Sequence, residues 1–82
     1  MVTRLYIFNM DDKEQLQLAI GKRVKMLREE KGMAQQDLAA KCNIEKSNLS
    51  RLEAGGTNPT LYTLKRIADN LEIKLEELVI KL

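Results

Sequence analysis

The stretch from Gln35 to Ala54, QQDLAAKCNIEKSNLSRLEA, constrains this chain more than any other. Leu38 and Ala39 give its first half an apolar edge at helical spacing, and Ile44, Leu49 and Leu52 give the second half an edge of its own. Between them runs Lys41-Cys42-Asn43-Ile44, in which Asn43 alone readily accepts the left-handed backbone conformation. A helix ended by a left-handed residue, with a second helix starting about three residues later, turns the chain sharply instead of continuing it.

Four positions support that reading beyond the leucine pattern. Ala39 is small where the second helix must cross close to the first, since a longer side chain would push the axes apart. Asn43 stands where the turn wants a positive φ, and Asn is the commonest substitute for Gly. Leu49 and Leu52 share one face of the second helix and can bury into the angle between the pair. Lys46, Ser47, Ser50 and Arg51 fall on its other faces and are left to meet a partner. This is a helix-turn-helix arrangement.

From Ile20 to Leu78 the chain reads IGKRVKMLREEKGMAQQDLAAKCNIEKSNLSRLEAGGTNPTLYTLKRIADNLEIKLEEL. It resembles the lambda-repressor-like helix-turn-helix domains of the Xre (xenobiotic response element) family of DNA-binding regulators. That family has an Arg-bearing helix closed by Gly, then Gln with Leu-Ala, a turn, a polar helix ending on Glu and Gly, and a Pro before a fourth helix. The likeness holds at small, turn, core and polar positions together. Asn43 replaces the usual Gly, which the backbone argument tolerates; Ala54 stands where relatives often carry an Asn near a phosphate, so no contact is assigned to it. The resemblance implies an all-α, compact four- to five-helix lambda-repressor-like DNA-binding domain that binds double-stranded DNA sequence-specifically and regulates transcription, repressor-like. It also implies a partly buried ion pair between Arg28 and Glu53, tying the first helix to the third.

Eighty-two residues make one domain near the lower size at which a core alone suffices. The net charge of +2 is a weak signal for nucleic acid, so any electrostatic footprint must come from placement. Residues 35 to 58 are balanced, with Lys41, Lys46 and Arg51 against Asp37, Glu45 and Glu53. Cys42 is the only cysteine and histidine is absent, which excludes an internal disulfide and argues against zinc. Cys42 is read as a small buried hydrophobe, with a redox-sensing thiol as the alternative. No cofactor is expected. No stretch has the length of a membrane span, and Leu5 to Phe8 is too short for a signal peptide, so a cytoplasmic protein is expected.

Residues 1–10, MVTRLYIFNM, form an N-terminal arm of different character, and residues 11–82 form the helix-turn-helix domain. Val2, Thr3, Tyr6, Ile7 and Phe8 favour an extended strand. A lone strand has no ladder partner, so the arm is either mobile, packed on the domain, or paired with a second chain. Helix 1 should start near Asp11 or Asp12 and end at Gly32, with Leu16, Ile20, Val24 and Leu27 inward. Lys22, Arg23, Lys25 and Lys31 read as a mainly solvated face with one or two phosphate contacts. Helix 2 should run from about Ala34 to Lys41, helix 3 from about Glu45 to Ala54, helix 4 from the Thr60 cap to about Leu71, and helix 5 from about Leu75 to Ile80. Leu64, Ile67, Ala68 and Leu71 face inward on helix 4, and Leu61 is a candidate to join them. Helix 5 offers Leu75, Leu78 and Val79, more apolar surface than a short terminal helix needs. Core packing is the plain reading and a dimer contact the other.

The N-terminus of helix 2 carries unpaired amides and partial positive charge, which suits a phosphate. Gln35 stands there, as a contact to backbone or base edge or merely as a cap, with Gln36 beside it as a further candidate. Thr57 and Asn58 in the loop GGTNP either donate to a phosphate or only shape the turn. Helix 3 would enter the major groove N-terminal half first. Lys46 and Ser47 then come nearest the base edges, and Arg51 brings a fork suited to guanine. Asn48 could address adenine, and Ser50 a phosphate or thymine methyl. The opposing reading, a solvated helix without a nucleic-acid role, has to explain why Ser47, Asn48 and Ser50, poor helix formers, stand where Glu, Gln or Lys would serve. One small module reads few base pairs, so a homodimer on a pseudo-palindrome is expected. Enzymatic function is disfavoured because His is absent and the carboxylates Glu29-Glu30 and Glu76-Glu77 lie on helical surface without a pocket. The rival from another class is an antitoxin-like or protein-interaction module with a protein partner.

Overall fold

The computed structural model describes residues 12–79, which form five helices: α1 Asp12–Glu30, α2 Gln35–Cys42, α3 Lys46–Glu53, α4 Leu61–Asn70 and α5 Leu75–Val79. The expected arm at residues 1–10 lies outside the described residues. α1 packs against α3 and α5, α2 against α3 and α4, and α4 against α5. The core runs through all five helices, with Val24, Leu38, Leu49, Ile67, Leu71 and Leu78 almost wholly withdrawn from solvent. Ala39, 2% exposed, sits on the α2 side of the α2–α3 pair and keeps the two backbones close.

Four helices end by one device. The residue after the last turn is left-handed at Gly32 (φ 70°), Asn43 (φ 58°), Gly55 (φ 82°) and Glu72 (φ 60°). In each case the next residue's N–H reaches back across the turn: Met33 to Arg28, Ile44 to Ala39, Gly56 to Arg51 and Ile73 to Ala68. These bonds satisfy carbonyls that the helix ends leave unpaired. Met33, Ile44 and Ile73 also pack on the core, so the bend and the burial are coupled. Glu72 is the unexpected member, since Glu lacks both the freedom of Gly and the short polar side chain that lets Asn take that conformation. The core contact of Ile73 just after it offsets the strain.

One expectation about the core is corrected and two open ones are decided. Leu16, assigned to the inward stripe of α1, is 52% exposed. At about 100° per residue it lies roughly 80° round the helix from Val24, at the margin of the buried face, whereas Gln17 lies within about 20° of Val24 and takes the inward place. Leu61 is 70% exposed. It shares the angular position of Ala68 but stands about two turns nearer the start of α4, beyond the reach of the core. The apolar surplus assigned to α5 is mostly spent inside, because Leu78 is fully buried, Leu75 packs on the core, and Val79 alone of the three is exposed. The large exposed apolar pair is instead Leu61 and Tyr62 on α4, where Arg66 lies 5.6 Å over the Tyr62 ring.

Arg23 also departs from the solvated reading. It is half-buried and donates from Nε and Nη2 to the Glu77 carbonyl at 3.1 and 2.8 Å, closing the end of α5 onto α1. Cys42 is a buried free thiol whose Sγ lies 3.8 Å from the Arg66 carbonyl. Burial pushes its pKa up, which keeps it protonated and inert at neutral pH.

The left-handed turn gives a direct test. Asn43→Val should lower unfolding stability by about 1–3 kcal/mol, while Asn43→Gly should leave it equal or higher. Urea titrations of the three proteins decide it, and equal midpoints for Asn43→Val and the parent would show that the turn does not depend on this conformation.

Candidate nucleic-acid interface

α3 is divided cleanly between core and surface. Leu49, Leu52 and Glu53 are buried, while Lys46, Ser47, Asn48, Ser50 and Arg51 are all exposed. The α3 residues therefore form one continuous polar surface on a helix anchored by two leucines. Arg51 is not loose on it: its Nη2 donates to Asn48 Oδ1 at 2.5 Å, one turn back. This sets the plane of the guanidinium and leaves its remaining donors for a partner. Lys46 has no ion pair among the described residues and opens the helix as a solvated cation.

The N-terminus of α2 has no side-chain acceptor on its leading amides, because Ala34 precedes it. The Asp37 carboxylate instead accepts from the Ala34 N–H at 3.0 Å. Gln36 is exposed at this end. Gln35 is half-buried and turned inward: its Nε2 donates to Glu53 Oε1 at 2.9 Å. It thus joins α2 to the end of α3 instead of capping its own helix. Asn58 is exposed in the turn after α3, with Thr57 half-buried beside it. Thr60 closes that turn by accepting from the Thr63 N–H at 3.1 Å.

Behind this surface lies a buried charged cluster. Arg28 Nε donates to Glu53 Oε2 at 2.7 Å and Nη2 to Oε1 at 3.0 Å, a bidentate pair. Nη1 donates to the Met33 carbonyl at 2.6 Å. The hydrogen bond to Glu53 raises the Arg28 pKa above its ordinary value, so the guanidinium stays charged at any working pH. Glu53 is therefore neutralised from α1, and the exposed charges from the start of α2 to the end of α3 reduce to Lys41, Lys46 and Arg51 against Asp37 and Glu45.

Two contacts at the back of α3 were not read from the sequence. A Cβ on Gly21 would stand 2.4 Å from the Leu52 carbonyl oxygen and 2.6 Å from that of Glu53. Glycine is thus what lets α1 lie directly on the end of α3. A Gly inside an amphipathic helix costs about 1 kcal/mol against Ala, and that unexplained cost was the signal available. The second contact, from Gln17 Nε2 to the Gly55 carbonyl at 3.2 Å, spans 38 residues and left no trace in local pattern.

The sequence model of the helix-turn-helix family matches residues 24–78. The chain belongs to that family. It carries the lambda-repressor-like, Xre-type form of the domain. It is 36% identical over 62 residues to the immunity repressor of Bacillus phage phi105, covering 76% of this chain and 43% of the repressor. It is 38% identical over 60 residues to the transcriptional regulator SlrR of Bacillus subtilis, covering 72% of this chain and 40% of SlrR. This chain thus spans less than half the length of either regulator. Among solved structures, the restriction-modification controller protein C.AhdI of Aeromonas hydrophila is 31% identical with a TM-score of 0.73, over 74% of this chain and 92% of that one. Among the described residues no helix is long and apolar enough to cross a membrane.

The buried cluster makes a quantitative prediction. Glu53→Leu should destabilise by roughly 3–5 kcal/mol, because Arg28 is left buried and unpaired. The double change Arg28→Met with Glu53→Leu should recover much of that loss, and Gln35→Ala should cost only about 1 kcal/mol. A double-mutant cycle by urea denaturation measures this; additive effects of the two changes would mean that the pair is not coupled.

Proposed function

We infer that this chain binds double-stranded DNA as a homodimer, reads the major groove with α3, and regulates transcription in the manner of a repressor. The single observation that carries this reading is the division of α3, with five polar side chains exposed in one surface and two leucines and Glu53 anchored behind it. An α-helix fits the major groove, where each base pair presents its own set of donors, acceptors and methyl groups. Lys46 and Ser47 address the base edges first. Arg51, held by Asn48, presents its fork to guanine, and Ser50 meets a phosphate or a thymine methyl. Gln36, the leading amides of α2 and Asn58 meet the phosphate backbone on either side, which orients the helix without reading sequence. Gln35 supports this from within, through its bond to Glu53, and its remaining carboxamide oxygen is assigned to the DNA backbone or a base edge.

A homodimer follows from economy. One short helix reads only a few base pairs, and two copies related by a twofold axis double the contacts on half-sites about 34 Å apart. The work is recognition in the cytoplasm and has no catalytic step.

Duplexes selected by the protein from a random-sequence pool provide the probe. Replacing Lys46 and Arg51 together by Ala should reduce affinity for a selected duplex by about 100-fold or more. The melting temperature should stay within about 2 °C of the parent, since both side chains are solvent-facing. Undiminished binding by this double variant would remove α3 as the reading helix, and failure to select any duplex would remove the DNA-binding reading itself.

A further inference from the structure

α1 does more behind α3 than fill the core. Three of its residues on adjoining faces meet the same short segment: Gly21 lies against the Leu52 and Glu53 carbonyls, Leu18 packs on Gly55, and Gln17 donates to the Gly55 carbonyl at 3.2 Å. Gly55 is left-handed, at φ 82°, and a Cβ there would stand 2.5 Å from the Leu18 side chain. The turn can therefore neither be rebuilt with another residue nor shift toward α1. Gly56 N–H in turn donates to the Arg51 carbonyl at 2.8 Å, so the position of the turn and that of the last turn of α3 are one variable.

Of the three contacts, two are shape and one is chemistry. Gln17 occupies an inward position where a leucine of similar length would pack without a polar group to satisfy. Its Oε1 is buried with no donor among the described residues. An unpaired buried acceptor is unfavourable to folding. What Gln17 supplies and leucine cannot is the bond that holds the Gly55 carbonyl, and through it the Thr57–Asn58 turn. We propose that Gln17 is a positioning residue for DNA binding: its carboxamide fixes the turn after α3 so that Asn58 and the end of α3 meet the DNA backbone together. This rests on the reading of α3 and Asn58 as the DNA-facing surface.

The test uses the full 82-residue chain and a duplex that the parent protein selects from a random pool. Gln17→Leu should weaken binding about fivefold to tenfold, the loss of one fixing hydrogen bond, while the melting temperature is unchanged or raised. A residue serving only the fold would move the two together and downward. Asn58→Asp, which keeps the shape of the turn but sets a carboxylate where a phosphate is expected, should weaken binding about tenfold or more. In the double variant the two losses should fall short of additive, because a turn released from Gln17 carries the introduced carboxylate away from the phosphate. Unchanged affinity in Gln17→Leu overturns the inference, as does strict additivity with Asn58→Asp, and as does an affinity loss matched by a fall in melting temperature. If Asn58→Asp is silent, the turn does not face DNA; that overturns the assignment of Asn58 and this inference with it, whereas loss of binding in Asn58→Asp alone overturns only the role of Gln17.

Discussion

The carboxylate of Glu53 is where three helices meet. It belongs to the last residue of α3, takes two bonds from Arg28 of α1 and a third from Gln35 of α2, and is buried. Apolar contacts drive such helices together but specify angles poorly, since burial is non-directional. A bidentate guanidinium–carboxylate pair admits one planar arrangement. The net stabilisation from burying such a pair is small, because the desolvation of two ions offsets most of their attraction. Its effect is therefore on geometry: a rotation of α3 about its axis that left Leu49 and Leu52 in the core would break three hydrogen bonds and strand a charge. Arg28 tolerates burial because its third direction is also met, by the Met33 carbonyl in the turn that leads to α2.

Local signals explain why so much of this fold could be read from the chain itself. The helix limits came from residues that act on their own backbone, such as Asn43, Gly32 and Thr60, and the observed ends lie within a residue or two of those signals. Leu38, Ala39, Leu49 and Leu52 followed from helical spacing and lie in the core. The failures share a cause. Leu16 and Leu61 have the right spacing but stand near helix starts, where burial depends on what other helices reach, and spacing carries no information about that. Glu72 breaks the rule that Gly or Asn takes a left-handed position, because the anchoring of Ile73 outweighs a strain that is local. Arg23 and Gln17 bond to main-chain carbonyls 54 and 38 residues away, and a main-chain acceptor has no residue type to betray it. The exposed faces were legible in outline: polar positions on α3 and in the turn. Inward rotation of Gln35 was not, because both of its readings placed it at a helix end and neither considered the far end of α3.

A net charge of +2 looks poor for a chain taken to bind a polyanion. The structure changes the accounting in one place. The balance of three cations and three anions over residues 35 to 58 includes Glu53, whose charge is cancelled by Arg28 from outside the segment. Asp37 is engaged by the Ala34 amide, which also relieves a helix start without a side-chain cap. What remains facing outward is modestly positive. On the proposed reading this segment adds little long-range attraction for DNA, since counterion release scales with the phosphates that its few cations neutralise. On that reading more of the binding free energy comes from short-range contacts.

Short-range contacts make position the controlling variable. Ser47 and Ser50 carry one-atom hydroxyls, so on the proposed reading they touch DNA only if the backbone of α3 comes close to the groove floor. Lysines in their place would reach across a loose fit. Close approach in turn requires that nothing beside α3 stands proud of it and that the helix does not rock. Ala39 in front and Gly21 behind let α2 and α1 lie tight against it, while the Glu53 cluster and the Gly55 turn hold its C-terminal end from two sides. A hydrogen bond to a base edge weakens steeply once the donor–acceptor distance or angle departs from its narrow optimum. Rigidity at the back of α3 and short side chains at its front thus act together on the proposed reading: the first holds the close approach that Ser47 and Ser50 require, and Lys46 and Arg51 extend from the same fixed helix.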